Sequence, residues 1–182
     1  MTIHASDPFA TPDHERSPVR RFRGRLPASV TLWTATGPDG RPAGLTVSST
    51  VVADGDPARL LGVLDQESDL WAAIETAARF AVAPLRGEDR QLAERFAGLM
   101  PAPGGPFTFG EWVDTPFGSV LNGVGAWIGC RLEEARPVGW GLLVEGIIEH
   151  VHIDDERVVT PLVHYRGRYH ELGGSSQREQ HG

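Results

Sequence analysis

Thr46-Val47-Ser48-Ser49-Thr50 places four hydroxyls in five consecutive residues. A buried strand must give each hydroxyl a hydrogen-bond partner, so such a run is costly unless it is used. One reading is a half-exposed strand face. The other is a row of short donors and acceptors turned toward a polar, planar ligand. His150 and His152 share one strand face, with Asp154, Asp155 and His164 as possible neighbours. Two imidazoles at i,i+2 can ligate a metal. A polar strand end is the plainer reading, because neither HExxH nor a Cys/His spacing accompanies them. No metal is expected. Cys130 alternates with Ile128 and Leu132 onto an apolar face, so it reads as a buried structural thiol rather than a nucleophile.

Other chemistries are excluded by residue type. The 182-residue chain has no Lys, and all 17 of its basic residues are Arg. A P-loop phosphate clamp, a Schiff-base Lys and a kinase-type Lys are therefore ruled out. No GxSxG elbow is present. Gly123, Gly125 and Gly129 miss the dinucleotide fingerprint by one residue and run into β-branched and aromatic positions. Asn122-Gly123 reads better as a turn. The formal charge of −7 argues against a nucleic-acid partner. Five arginines cluster early, Arg16, Arg20, Arg21, Arg23 and Arg25, and read as a solvated arm. One Cys suits a reducing compartment, and a cytoplasmic location is expected. No apolar run suggests a signal peptide or a membrane span.

The elements that must position these residues are mostly strands. Residues 28–36 read as a strand ending in the Gly37–Gly40 turn, and 43–52 as the return strand. A third strand is expected over 59–64, then a helix capped by Ser68, with Leu70, Ile74, Ala77 and Ala78 at helical spacing. Residues 80–84 read as a strand and 88–99 as a second helix. The Pro, Gly and aromatic stretch 101–118 reads as a long irregular segment. Strands are expected again over 125–134, 140–153 and within 157–172. Residues 1–20 and 173–182 read as a loose arm and a loose tail around one domain, 21–172. The pattern is mainly β with inserted helices, a small barrel rather than a βαβ sheet.

The order of motifs resembles the flavin reductase family, the FMN-binding split-barrel proteins that serve as reductase components of two-component monooxygenases. The resemblance runs from about Arg21 to Leu172. It is carried by 24–34, GRLPASVTLWT, by 44–49, GLTVSS, and by 62–68, GVLDQES. It continues through 79–85, RFAVAPL, 92–98, LAERFAG, 119–131, SVLNGVGAWIGCR, and 161–169, PLVHYRGRY. Ser48 stands where Asn is common. Two departures stand out: Gly139-Trp140-Gly141 replaces a His-containing motif, and Val51-Val52-Ala53-Asp54 replaces a Thr/Ser-rich one.

The resemblance implies a single-domain split β-barrel of Greek-key type. It implies a homodimer that binds FMN or FAD and uses NADH or NADPH as co-substrate. Thr46, Val47, Ser48 and Ser49 would hold the isoalloxazine and ribityl chain. Asp65 and Ser68 would lie near the ribityl-phosphate end, and Arg95 is the candidate for the phosphate. Trp112 or Trp140 would stack on the nicotinamide. Reduced flavin would go to a partner monooxygenase. The alternatives are a flavin-binding protein of this fold without reductase activity, and a non-flavin interaction or metal-binding domain. No nucleic acid and no membrane is implied.

Overall fold

The computed structural model describes residues 17–155 and 159–173. A short helix, α1 (Pro18–Arg23), comes first, with Ser17 accepting the Arg20 amide at 3.3 Å. Residues 17–20, read as the end of a loose arm, are thus the cap and first turn of a helix. Pro18 suits that turn because its position needs no N–H. Residues 1–16 of the arm and 174–182 of the tail lie outside the described residues.

β1 (Ala28–Ser29), β2 (Thr31–Thr36) and β3 (Pro42–Val47) follow. The turn between β2 and β3 forms where expected, with Gly40 at φ +76° donating its amide to Gly37 O. The return strand expected over 43–52 is instead two strands. The chain leaves the sheet at Ser48 and re-enters as β4 (Val51–Ala53). β5 (Arg59–Leu64) and α2 (Asp69–Ala77) match the expected strand and capped helix. β6 (Arg79–Pro84) is followed by a 3₁₀ turn, Gly87–Asp89, and by α3 (Arg90–Phe96), which is shorter than the expected 88–99 helix. Gly98, at φ +73°, lies just beyond the end of α3. The irregular segment expected over 101–118 contains β7 (Trp112–Thr115), paired with β8 (Gly118–Leu121). The chain closes with β9 (Ala126–Val138), β10 (Gly141–Ile153), β11 (Leu162–Tyr165) and β12 (Arg168–Glu171).

Seven strands form one antiparallel sheet in the order β3-β2-β6-β9-β10-β5-β4. Its two edges, β3 and β4, are consecutive in the chain and joined only by residues 48–50. The sheet must therefore curl until its edges meet, which makes a barrel with a split between β3 and the edge formed by β4 and the end of β5. Trp33 and Phe80 stack at 5.0 Å within a core of Leu60, Leu64, Ile74 and Val144. Gly62 lets the indole lie on β5, since a Cβ there would come within 2.5 Å of the Trp33 ring. A second core packs Leu32, Ala83, Leu92 and Phe96 beneath α3. Each fully buried Leu or Phe contributes about 1.5–3 kcal/mol. No helix among the described residues is long and apolar enough to cross a membrane.

Candidate functional site

The hydroxyl row sits at the split, and most of its hydrogen bonds go to the protein itself. Ser49 Oγ donates to Val63 O at 3.0 Å and accepts from Val63 N at 2.9 Å, standing in for a strand partner. Thr31 Oγ1 donates to Val47 O at 2.8 Å. Its proton is then committed, so Thr50 is the donor in the Thr31–Thr50 hydroxyl pair, also at 2.8 Å. Trp33 Nε1 donates to both hydroxyls at 3.1 Å. Thr46 Oγ1 donates to Ala93 O at 2.8 Å and ties β3 to α3. The Val47 side chain is buried in the core. Ser48, half-buried like Ser49 and Thr50, differs in its hydroxyl, which has no hydrogen bond among the described residues.

The Asp65–Ser68 turn lies next to this corner, because Ser49 bonds Val63 and Asp65 follows directly after β5. Asp65 Oδ1 accepts the Glu67 amide at 2.9 Å, and Asp65 O accepts Ser68 Oγ at 2.6 Å. Ser68 Oγ in turn accepts the Trp71 amide at 3.2 Å and caps α2. The hairpin between β9 and β10 ends at the same place. Gly141 lies so close to β5 that a Cβ would meet Val63 Cγ1 at 2.7 Å and Leu64 O at 2.9 Å. Any side chain at position 141 would therefore displace Val63. Trp140, at the hairpin tip, is 99% exposed.

Arg95 and Trp112 belong to a different group, on the α3 side of β3. Phe107 and Trp112 pack at 4.7 Å, and Phe96 joins them at 4.8 and 5.7 Å. Trp112 Nε1 donates to Phe109 O at 3.2 Å, so its polar end is already satisfied. The Arg95 guanidinium lies 4.0 Å above the Phe109 ring, and Nη1 donates to Gln91 O at 3.2 Å. Arg95 Nε is buried without a hydrogen-bond partner among the described residues. The fold thus gathers Ser48, Ser49, Asp65, Ser68 and Trp140 at one end of the split. Thr46, Arg95 and Trp112 stand on the flank beside α3.

Sequence reasoning missed a cavity of about 210 Å³ on the β7–β8 hairpin, lined by Val113, Asn122, Gly125, Trp127 and His152 among others. Its advance signals were the Asn122-Gly123 turn, which forms with Gly123 at φ +69°, and the His152 and Asp154 pair singled out for other chemistry. His150 and His152 pack against Trp127, with ring centres 4.4 and 6.5 Å away. Among the described residues, no three His, Cys, Asp or Glu side chains gather as a metal site. Cys130 is fully buried; burial, and then the Glu149 charge, push its thiol up to about 12. It stays a protonated structural thiol.

Comparison with known proteins agrees with this architecture. Residues 23–173 match the flavin reductase like domain family. The chain is 32% identical over 155 residues to the actinorhodin polyketide dimerase of Streptomyces coelicolor, covering 85% of each. It is 31% identical over 165 residues to an NADH-dependent FMN reductase of Streptomyces nodosus subsp. asukaensis, covering 86% of this chain and 85% of that one. A solved structure of nitrilotriacetate monooxygenase component B from Mycobacterium thermoresistibile superposes with a TM-score of 0.77 at 27% identity. It spans 89% of this chain and 92% of its own.

Proposed function

The chain belongs to the flavin reductase like domain family, and on that premise we propose that it is an NAD(P)H-dependent flavin reductase, passing hydride from NADH or NADPH to FMN or FAD. The observation that carries this reading is the match over residues 23–173, which takes in the whole split barrel.

The residues at the split, together with Thr46 and Arg95 on its α3 flank, offer the groups a flavin calls for. A flavin offers a planar ring edged with donors and acceptors, a hydroxylated chain and an anionic phosphate. Ser48 has a hydroxyl to spare for the ring. Thr46 and Ser49 have committed their protons and can only accept further hydrogen bonds. Val47 supplies backbone groups alone. Arg95 Nε is a buried donor lacking an acceptor among the described residues, which an anionic phosphate would satisfy. Asp65 shapes the turn, and Ser68 caps a helix end that favours negative charge.

When bound, flavin supplies the hydride acceptor and the nicotinamide supplies the donor. The chain's own contribution is to hold the two rings in contact and keep water out. Trp140 has a free face beside the split on which a nicotinamide can stack. Trp112, held among Phe96 and Phe107, serves as a fixed wall. Gly141 brings no acid or base, so no proton moves through that position.

A homodimer with flavin near its interface, a cytoplasmic location, a folded unit of residues 21–172 and delivery of reduced flavin to a monooxygenase complete the reading. The deciding test is NADH consumption by purified protein with and without FMN. Turnover that depends on added flavin is expected. No flavin dependence and no turnover with either nicotinamide rejects the reading. Sedimentation measures the dimer separately. Gly141 favours one second reading, flavin binding without turnover. A yellow protein that holds FMN yet ignores NADH and NADPH would select it.

A further inference from the structure

A chain with a formal net charge of −7 still carries one strongly basic face. Residues 17–30 and 159–173 contain Arg20, Arg21, Arg23, Arg25, Arg166 and Arg168 against a single carboxylate, Glu171. The fold joins these two segments. β1 pairs with β11, and the Arg166 amide donates to Gly24 O at 2.8 Å. All six arginines are exposed, and none makes an ion pair among the described residues. The Glu171 side chain packs on Gly87, where an added Cβ would come within 2.5 Å of its Cδ.

The same face is partly apolar. Val19, Phe22 and Leu26 stand 77%, 64% and 53% exposed, at spacings of three and four residues. Single exposed apolar side chains are ordinary, and clustered ones mark contact surfaces. An apolar and aromatic centre with arginines around it has the composition of a protein interface.

We propose that this face docks a partner protein whose surface is acidic around an apolar centre. Nucleic acid suits it less well. An extended polyanion running past the patch would meet the acidic remainder of the chain, and the apolar stripe would stay wet. The partner's role as acceptor of reduced flavin rests on the reductase reading; the docking surface does not.

Fluorescence anisotropy at physiological salt tests this with three labelled probes: an acidic peptide containing leucines, polyglutamate of matched length, and a short DNA duplex. The mixed peptide should bind tightest. Reversing Arg20→Glu, Arg21→Glu and Arg23→Glu together should weaken it by roughly tenfold or more, as loss of complementary charge does. Phe22→Ser should weaken it several-fold while leaving polyglutamate binding unchanged. These positions are exposed and none is among the residues gathered at the split, so turnover of free FMN should persist and certify the fold. Duplex or polyglutamate binding as tight as the mixed peptide overturns the proposal. So does mixed-peptide binding that ignores the reversal or Phe22→Ser, or that is absent. Wild-type protein that binds the mixed peptide but shows no NADH–FMN turnover would remove the reductase reading and leave the docking face standing.

Discussion

Arg86 and Arg95 are the same residue type at either end of one short stretch of chain, just before α3 and within it, and their surroundings are opposite. Arg86 is 8% exposed, and each of its guanidinium nitrogens has a partner. Nε and Nη2 grip the Asp89 carboxylate at 2.7 and 2.8 Å, and Nη1 reaches Gly123 O at 3.0 Å and Glu88 at 2.6 Å. The Arg86 amide also donates to Asp89 Oδ2 at 3.0 Å. The hydrogen bond to Asp89 raises the Arg86 pKa against the opposing effect of burial. Among the described residues Arg95 makes one hydrogen bond, to Gln91 O, lies over a ring, and leaves Nε buried and unpaired. In a chain without Lys, every cationic side chain at neutral pH is an arginine apart from any charged His. What separates scaffold from ligand candidate is then the hydrogen-bond account. A guanidinium with every nitrogen paired holds the fold, and one with an unpaired buried nitrogen can receive an anion.

The sharpest way to break this contrast is to remove each guanidinium and measure stability. Arg86→Met leaves Asp89 buried without its partner, and such a loss costs roughly 3–5 kcal/mol. The knot also joins the end of β6 to the Asn122–Gly125 turn, so urea denaturation should show a large fall in midpoint. Arg95→Met should leave the midpoint nearly unchanged. A small effect at Arg86 or a large one at Arg95 would erase the distinction.

The second measurement is ligand affinity. If Arg95 meets the flavin phosphate, Arg95→Met should weaken FMN about 10- to 100-fold, the range for a hydrogen bond to a charged group. Riboflavin, which lacks the phosphate, should bind both proteins equally. Equal losses for the two flavins would mean Arg95 supports the pocket wall instead. No loss for either would remove it from the site.

The same account sorts the serines. Ser49→Ala removes both side-chain bonds to Val63 across the split and should cost about 1 kcal/mol, because the freed groups can still reach water. Ser48→Ala removes no bond among the described residues and should leave stability alone while weakening flavin. Chemical denaturation and flavin titration of the pair decide the matter. A destabilised Ser48→Ala protein would show its hydroxyl to be another strut.

These contrasts mark where the sequence could be read and where it could not. β5 and the Ser68 cap were legible because apolar patterning and cap chemistry act over a few residues. The Gly37–Gly40 turn was legible for the same reason. The break at Ser48 was not, because β-branched and hydroxyl residues have strand propensity on both sides of it. What bends the chain there is a set of partners far along it, Val63, Thr31 and Trp33. β7 was hidden among Pro and Gly for a similar reason: its pairing with β8 is tertiary. The hydroxyl row could be singled out, but not divided into struts and a free group. Trp112 and Trp140 looked alike in sequence, and only packing shows one walled in and the other open.

The smallest effect tests whether the basic face also bears on stability. His164 lies on β11, with its ring 5.6 Å from that of Tyr169. Burial first, then the Arg23 charge and then His170, lower its pKa below the ordinary 6.5. The unfolded chain therefore takes up a proton at a pH where the folded chain still resists it. Stability from this group is complete above about 6.5 and is lost as pH falls through the folded value. Urea midpoints measured from neutral to mildly acidic pH should fall more steeply for the wild type than for His164→Gln. Arg23→Gln should recover only the smaller, charge-borne part of that slope. Identical slopes in all three proteins would show that His164 is solvated despite its place in the sheet, and that the arginines beside it act on partners alone.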